Sequence, residues 1–396
     1  GDGDSGIYLF IQQDPGVFDK LDLDQGLSMS GDHVMTDLDG DGDMDYLWCV
    51  FGESGISGID SHVYAYLQNT TVVADDEPQV EAPGQPVDVD GAMTDPGMEG
   101  PWGTSCVDTE VQVGGGFFPT NVPVRVYVPD ANGSFPVVLV LDGFNLGGES
   151  YFSYGDHLAS WGYVAVVADM PNNVVMSKTL IQLADMTDAI LDWVEEAGEV
   201  MSGPFEGKAN MEQLALVGHS AGGKTAVYFA IEDPRAKAVF AIDPVDGSFG
   251  APGTEPVATP SNPSVTPELM DELNVPAVFI GETTNGGDGA FACAPSAENF
   301  QQFYAGCTSS PALEIEVLGA NHMSWLDDPD CGISCSVCPK GNDDPATTQM
   351  ITKRYLVAFL ELTLGQKESF RTWLTGEEMA ADVADGLVVG DWKNGF

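Results

Sequence analysis

The chain is short of positive charge. Its 396 residues hold 13 Lys and Arg against 62 Asp and Glu, a formal net charge of −49. A surface of that sign repels phosphate backbones and anionic headgroups, which excludes nucleic acid and acidic membrane surfaces as partners. It also repels itself, so salt or divalent cations should ease that strain; a salty or calcium-rich extracellular setting is expected, the alternative being that the charge serves solubility alone. Long apolar runs are missing as well, and no membrane-spanning helix is expected. The sequence has no initiator Met and no charged-then-apolar leader, which reads as a mature, processed or excised product. Histidine is scarce, at five residues, and Cys335 and Cys338 have no second CxxC to complete a metal site. Zinc and redox chemistry are therefore disfavoured against a loop disulfide or unpaired thiols.

Seven cysteines are present, and five of them fall between positions 293 and 338. That crowding suits disulfides that staple loops in an oxidising compartment, and the odd count leaves one thiol over. The apolar share of 43% and the mean hydropathy of −0.03 belong to a folded soluble protein. The length favours two units. Residues 1–72 differ in character from those beyond about 100, and the Pro/Gly/acid-rich stretch 73–100 between them reads as a solvated linker.

In the first part, "DLDGDGDMDYLWCV" sets Asp37, Asp39, Asp41, Asp43 and Asp45 on alternate positions ahead of an apolar strand. Hard oxygen donors at every second residue suit calcium, and the analogy with other such loops implies carboxylates from Asp37, Asp39, Asp41 and Asp45 and a carbonyl from Asp43. Left empty, these carboxylates would repel one another; the alternative is an acidic turn without an ion. This stretch resembles the FG-GAP/VCBS repeats of β-propeller and adhesion proteins. "HVYAYLQNT" (62–70) is similar to a repeat's closing strand, and "GDGDSGIYLFIQ" to the second half of an earlier repeat. The resemblance implies one full repeat and the tail of another, with structural calcium.

From residue 117 short β-branched runs alternate with helical stretches. Strands are expected at 123–129, 136–143, 163–170, 214–220, 238–243, 276–281 and 313–319, and a long helix at 178–200. This alternation implies an α/β domain with a mainly parallel, doubly wound sheet over 101–366, followed by an extension, 367–396, expected to be a helix and tail packed on that domain.

Gly218-His219-Ser220-Ala221-Gly222 stands between an apolar strand and a helix. A sharp strand-to-helix turn presents a serine hydroxyl above the sheet edge, which makes Ser220 a candidate nucleophile. A hydroxyl needs a base. His33 and His62 lie in the repeat unit, His157 in a helix, and the side chain of His219 should point away from its neighbour. That leaves His322, directly after the last strand. For the acid that orients the base, Asp243 and Asp246 follow the strand "AVFAID", while Glu282 and Asp288 follow the next. The oxyanion hole needs two backbone N–H groups, assigned to Ala221 and Phe144.

Residues from about 117 to 364 resemble the chlorophyllase family of α/β-hydrolases, related to platelet-activating-factor acetylhydrolases and bacterial polyester hydrolases. The motifs are "GHSAGGKTA", "AIDPVDG", "CAP" at 293–295 followed by Cys307, "GANHMSWLDD", "CSVCPKG" and "KRYLVAFLE". The resemblance implies an α/β-hydrolase fold and an ester hydrolase, and it points to Asp243 over Glu282. Asp142 departs from the pattern, since many relatives carry His before the oxyanion-loop glycine.

The leading expectation is a secreted or cell-surface serine carboxylesterase that needs no cofactor for catalysis. Its substrate is a small, lipid-like or phytyl-type ester, or a polyester of the cutin or terephthalate type. The rivals are an amidase or peptidase on the same residues, and a non-catalytic calcium-dependent adhesion or structural protein.

Overall fold

The computed structural model describes residues 94–114, 120–199, 205–246, 258–284, 293–330 and 338–396, together with five backbone strands between residues 8 and 66. The chain divides into two compact units, 1–79 and 80–396.

In the first unit β1 (Tyr8–Asp14) pairs antiparallel with β2 (Val17–Asp22). β3 (Val34–Thr36), β4 (Asp45–Val50) and β5 (His62–Tyr66) form an antiparallel meander. β5 covers the first five residues of the stretch 62–70, and Thr36 stands opposite Asp45 in the β3–β4 pair. Asp37, Asp39, Asp41 and Asp43 lie outside the described residues.

The second unit is built on nine strands. They are β6 (Thr104–Val113), β7 (Thr120–Pro129), β8 (Phe135–Leu141), β9 (Val164–Ala168), β10 (Ala209–His219), β11 (Ala236–Ile242), β12 (Ala277–Glu282), β13 (Ala312–Val317) and β14 (Val388–Lys393). Their spatial order is β14-β13-β12-β11-β10-β8-β9-β7-β6. The six from β13 to β9 run parallel; β7, β6 and β14 are antiparallel additions at the edges. The central strands β8 and β9, and Leu214–Val217 of β10, are continuous apolar runs because both faces are covered, whereas β13, beside the edge, interleaves Glu314 and Glu316. On β8, Val137, Leu139 and Leu141 enter one core while Val138 and Val140 enter the other. The first core is closed by α2 (Leu180–Glu199), α3 (Ala221–Glu232) and α4 (Phe300–Gly306). The second is closed by α1 (Phe152–Ser160), α5 (Pro345–Thr363), α6 (Arg371–Thr375) and α7 (Glu377–Ala384).

One boundary differs from the sequence reading. Residues 94–100, placed in the linker, are fastened to the hydrolase unit. Asp95 accepts two bonds from the Arg354 guanidinium at 2.8 and 2.6 Å, and the Pro96 carbonyl lies 2.8 Å from His157 Nε2. Residues 367–396 pack on the same unit. They supply α6, α7 and β14, which pairs with β13 along its whole length, Val317 opposite Val388 and Ala312 opposite Lys393.

Candidate active site

β10 ends at His219 and α3 begins at Ala221, so Ser220 alone makes the turn between them. Its backbone sits at φ 56°, ψ −118°, a conformation L-residues rarely adopt. Crowding explains why glycine follows two residues later: a Cβ at position 222 would stand 2.4 Å from the carbonyl oxygens of Leu141 and Asp142. The turn is tied down from below, since Ser220 N–H donates to the Ile242 carbonyl at 3.0 Å. The serine is therefore held in one pose rather than free to relax.

His322 lies in the loop after β13, and its Nε2 is 3.0 Å from Ser220 Oγ. Its Nδ1 is 2.6 Å from Asp243 Oδ2. A carboxylate only accepts, so the imidazole proton sits on Nδ1 and Nε2 is left to accept from the serine hydroxyl. All three residues are buried, at 7%, 4% and 0% exposure for Ser220, His322 and Asp243. Burial pushes the Asp243 carboxyl up, and the neighbouring His322 opposes that shift. Asp243 follows β11 directly and also has a positive φ, 41°. With Asn145 at φ 59° in the turn after β8, three of the five described non-glycine residues of positive φ gather here. Such strain persists only where surrounding structure enforces it, and it concentrates at working sites.

The other carboxylates are engaged elsewhere. Asp246 forms a buried pair with Lys224 at 3.2 Å, accepts from Val265 N–H at 2.8 Å and accepts from the Ser264 hydroxyl. Glu282 ends β12 and accepts from Thr284 N–H and, at 3.2 Å, from Ser296 Oγ. Asp288 lies outside the described residues. His157 packs in α1 with its pKa pushed down to about 4, chiefly by burial.

The residues assigned to the oxyanion hole come from two elements. Ala221 opens α3, where backbone N–H groups lack helical partners. Phe144 stands in the turn Gly143–Leu146, closed by Leu146 N–H to the Gly143 carbonyl at 3.2 Å. That turn runs against the nucleophile, since a Cβ on Gly143 would be 3.3 Å from Ser220 Cβ. Asp142, just before it, is buried; Oδ1 accepts from Met170 N–H at 3.2 Å, and Oδ2 has no partner among the described residues. Burial drives its carboxyl well above the ordinary range, with Asp169 adding to the shift.

Cys338 pairs with Cys293 rather than with Cys335, so a disulfide joins the loop after β12 to the segment ahead of α5. Cys106 and Cys307 are free, the latter buried. Among the described residues no group of three or more His, Cys, Asp or Glu is arranged to hold a metal. A cavity of about 350 Å³ between β6, β7 and Glu149 is lined by Asp108, Glu110, Arg125 and Asp169, and none of Ser220, His322 or Asp243 borders it. Its charge does not suit an apolar ester. The tandem Tyr151–His219 beneath the site was not singled out from sequence; nothing local marks residues that become neighbours only through the fold.

A parallel sheet covered on both faces, with a serine on a strained strand-to-helix turn, defines an α/β-hydrolase. The chain belongs to the chlorophyllase family, whose profile matches residues 99–384. Chlorophyllase-1, chloroplastic, of Citrus sinensis is 27% identical over 276 residues, covering 68% of this chain and 81% of that protein. Chlorophyllase-1 of Arabidopsis thaliana is 29% identical over 263 residues, 63% of this chain and 78% of that protein. A shorter match, 29% over 137 residues, covers 32% of this chain and 30% of hydrolase ffsE of Aspergillus flavipes. Family and relatives place the chain among the hydrolases. Among the described residues no helix is long and apolar enough to cross a membrane.

Proposed function

We propose that the protein is a serine carboxylic ester hydrolase working through an acyl-enzyme. The observation that carries this reading is the continuous hydrogen-bonded line Ser220 Oγ–His322–Asp243, at 3.0 and 2.6 Å. In this reading His322 Nε2 takes the hydroxyl proton as Ser220 Oγ attacks the ester carbonyl. Asp243 holds the tautomer and stabilises the imidazolium. The oxyanion accepts from the N–H groups of Ala221 and Phe144, each worth about 3 kcal/mol of barrier. Collapse of the tetrahedral adduct expels the alcohol, which takes the proton from His322. Water then attacks the acyl carbon as it gives one proton to the same imidazole, and His322 passes that proton to Ser220 Oγ when the second adduct collapses and the acid leaves. No step calls on a cofactor.

The relatives' names point to chlorophyll esters, and a phytyl-type ester is one substrate to try beside short-chain and polyester substrates. Two features support a working place outside the cell: the Cys293–Cys338 disulfide and the net charge of −49. We also infer that Asp37, Asp39, Asp41, Asp43 and Asp45 hold a structural calcium ion in an FG-GAP/VCBS-like unit. Support comes from the all-oxygen donor set on alternate positions, flanked by the β3–β4 pair.

The test is labelling with a fluorophosphonate probe and peptide mapping, with a panel of p-nitrophenyl esters alongside. Label on Ser220, lost in His322→Ala together with ester turnover, is expected. Folded protein with an unlabelled Ser220 would overturn the esterase reading and leave the N-terminal unit as the working part.

A further inference from the structure

One buried chain of hydrogen bonds links the two loops that the reaction must keep in register. Gly143 N–H, in the turn that carries Phe144, donates to Tyr151 Oη at 3.3 Å. Tyr151 Oη is 2.7 Å from His219 Nδ1, and His219 Nε2 is 2.9 Å from the His322 carbonyl oxygen. Both side chains are 1% exposed.

The donors and acceptors admit one arrangement. A carbonyl only accepts, so the His219 proton must be on Nε2. Nδ1 of the neutral ring then accepts, and the Tyr151 hydroxyl must donate to it. The phenol oxygen is left to accept from Gly143. The order is thus Gly143 N–H to Tyr151, Tyr151 O–H to His219, and His219 N–H to His322. The ring of His219 also lies against that of His322, with centroids 4.6 Å apart and planes inclined at 38°. A charged ring there would face the imidazolium that His322 becomes during turnover. Burial and the proximity of His322 hold His219 in its neutral form.

We propose that Tyr151 and His219 are positioning residues that fix the oxyanion turn relative to the base-bearing loop, by a hydrogen-bonded clamp running under Ser220. This rests on the esterase reading. Neither residue touches the ester; each acts through the backbone of a loop that does. The residue before the nucleophile thereby acquires a task that its motif position does not reveal. A misplacement of about 1 Å at a reacting centre is enough to slow a reaction on the order of a hundredfold, so the clamp should act on kcat.

The experiment compares Tyr151→Phe, His219→Phe, His219→Gln and the double variant Tyr151→Phe/His219→Phe with wild type. Burst kinetics on a soluble p-nitrophenyl ester, fluorophosphonate labelling rate and thermal melting are measured for each. Tyr151→Phe and His219→Phe should each lower acylation about ten- to a hundredfold with KM within about twofold. The double variant should be no slower than His219→Phe, because one clamp has already been cut. His219→Gln, whose amide can still accept from Tyr151 and donate to the carbonyl, should recover part of the rate. Wild-type acylation in all variants, or additive losses that follow melting temperature with no recovery in His219→Gln, would overturn the clamp. An unlabelled wild-type Ser220 would instead overturn the esterase reading, and the clamp with it.

Discussion

At the scale of single residues, two aspartates three positions apart divide the labour. Asp243 faces the His322 imidazole and Asp246 faces the Lys224 ammonium. Asp243→Asn can offer its amide N–H₂ to Nδ1 and favour the wrong tautomer, so kcat should fall about 10⁴-fold with the fold retained. Asp246→Ala leaves Lys224 buried without its countercharge, which should cost about 3 kcal/mol of stability while the activity of the folded fraction persists. Steady-state kinetics paired with urea unfolding separates the two outcomes. Asp142 is a third case. Its folded pKa is raised, so the contribution to stability is full at acid pH and is lost as pH rises through that raised value. Asp142→Asn should therefore melt with wild type in acid and above it in mildly alkaline buffer; equal melting curves throughout would show the carboxyl to be at ease when ionised. Ser220 is legible from its neighbours alone, because the glycine-flanked strand–turn–helix is a local pattern. Choosing Asp243 needed the strand end as well, and the Tyr151–His219 pair needed three loops brought together.

At the scale of elements, the strands legible in the sequence are those that the sheet buries on both faces. β8 and β9 are unbroken apolar runs, as are Leu214–Val217 of β10, Ala238–Ile242 of β11 and Ala277–Ile280 of β12; β13 interleaves Glu314 and Glu316, and β7 pairs against β9 at the margin. β6 and β14 were missed. On β6, Val107, Val111 and Val113 alternate with Asp108, Glu110 and Gln112, which leaves half of a strand's usual signal. On β14, "VVGDWK" has a buried Val388 and little else; its identity as a strand comes from β13, a partner some seventy residues earlier. The same dependence gives β14 structural weight. Val388→Asp should bury an unpaired charge against the second core, and melting should fall sharply or soluble protein be lost. Unchanged melting would mean that the edge is dispensable. Asp95 is the counterpart at the other end of the domain. Asp95→Ala removes one of the two carboxylates on Arg354, Asp382 being the other, and should open residues 94–100 to limited proteolysis.

At the scale of the whole molecule, the charge of −49 acts on every conformation. Raising NaCl from about 10 mM to about 1 M shortens the screening length from about 30 to about 3 Å. The melting temperature should climb across that range; a flat response would mean that the acidic groups are spaced too widely to repel. Net stability in such a chain is a small surplus, about 5–15 kcal/mol for ordinary domains. Against it stand the left-handed backbones of Ser220 and Asp243, of order 1–3 kcal/mol each. Ser220→Gly should consequently melt above Ser220→Ala, since both lack the hydroxyl and only glycine tolerates that turn. The gap between those two inactive proteins would measure the tension under which the serine is displayed. It would also define an adaptive trade-off: drift toward a more robust molecule passes through loss of the very residue proposed to make it an enzyme.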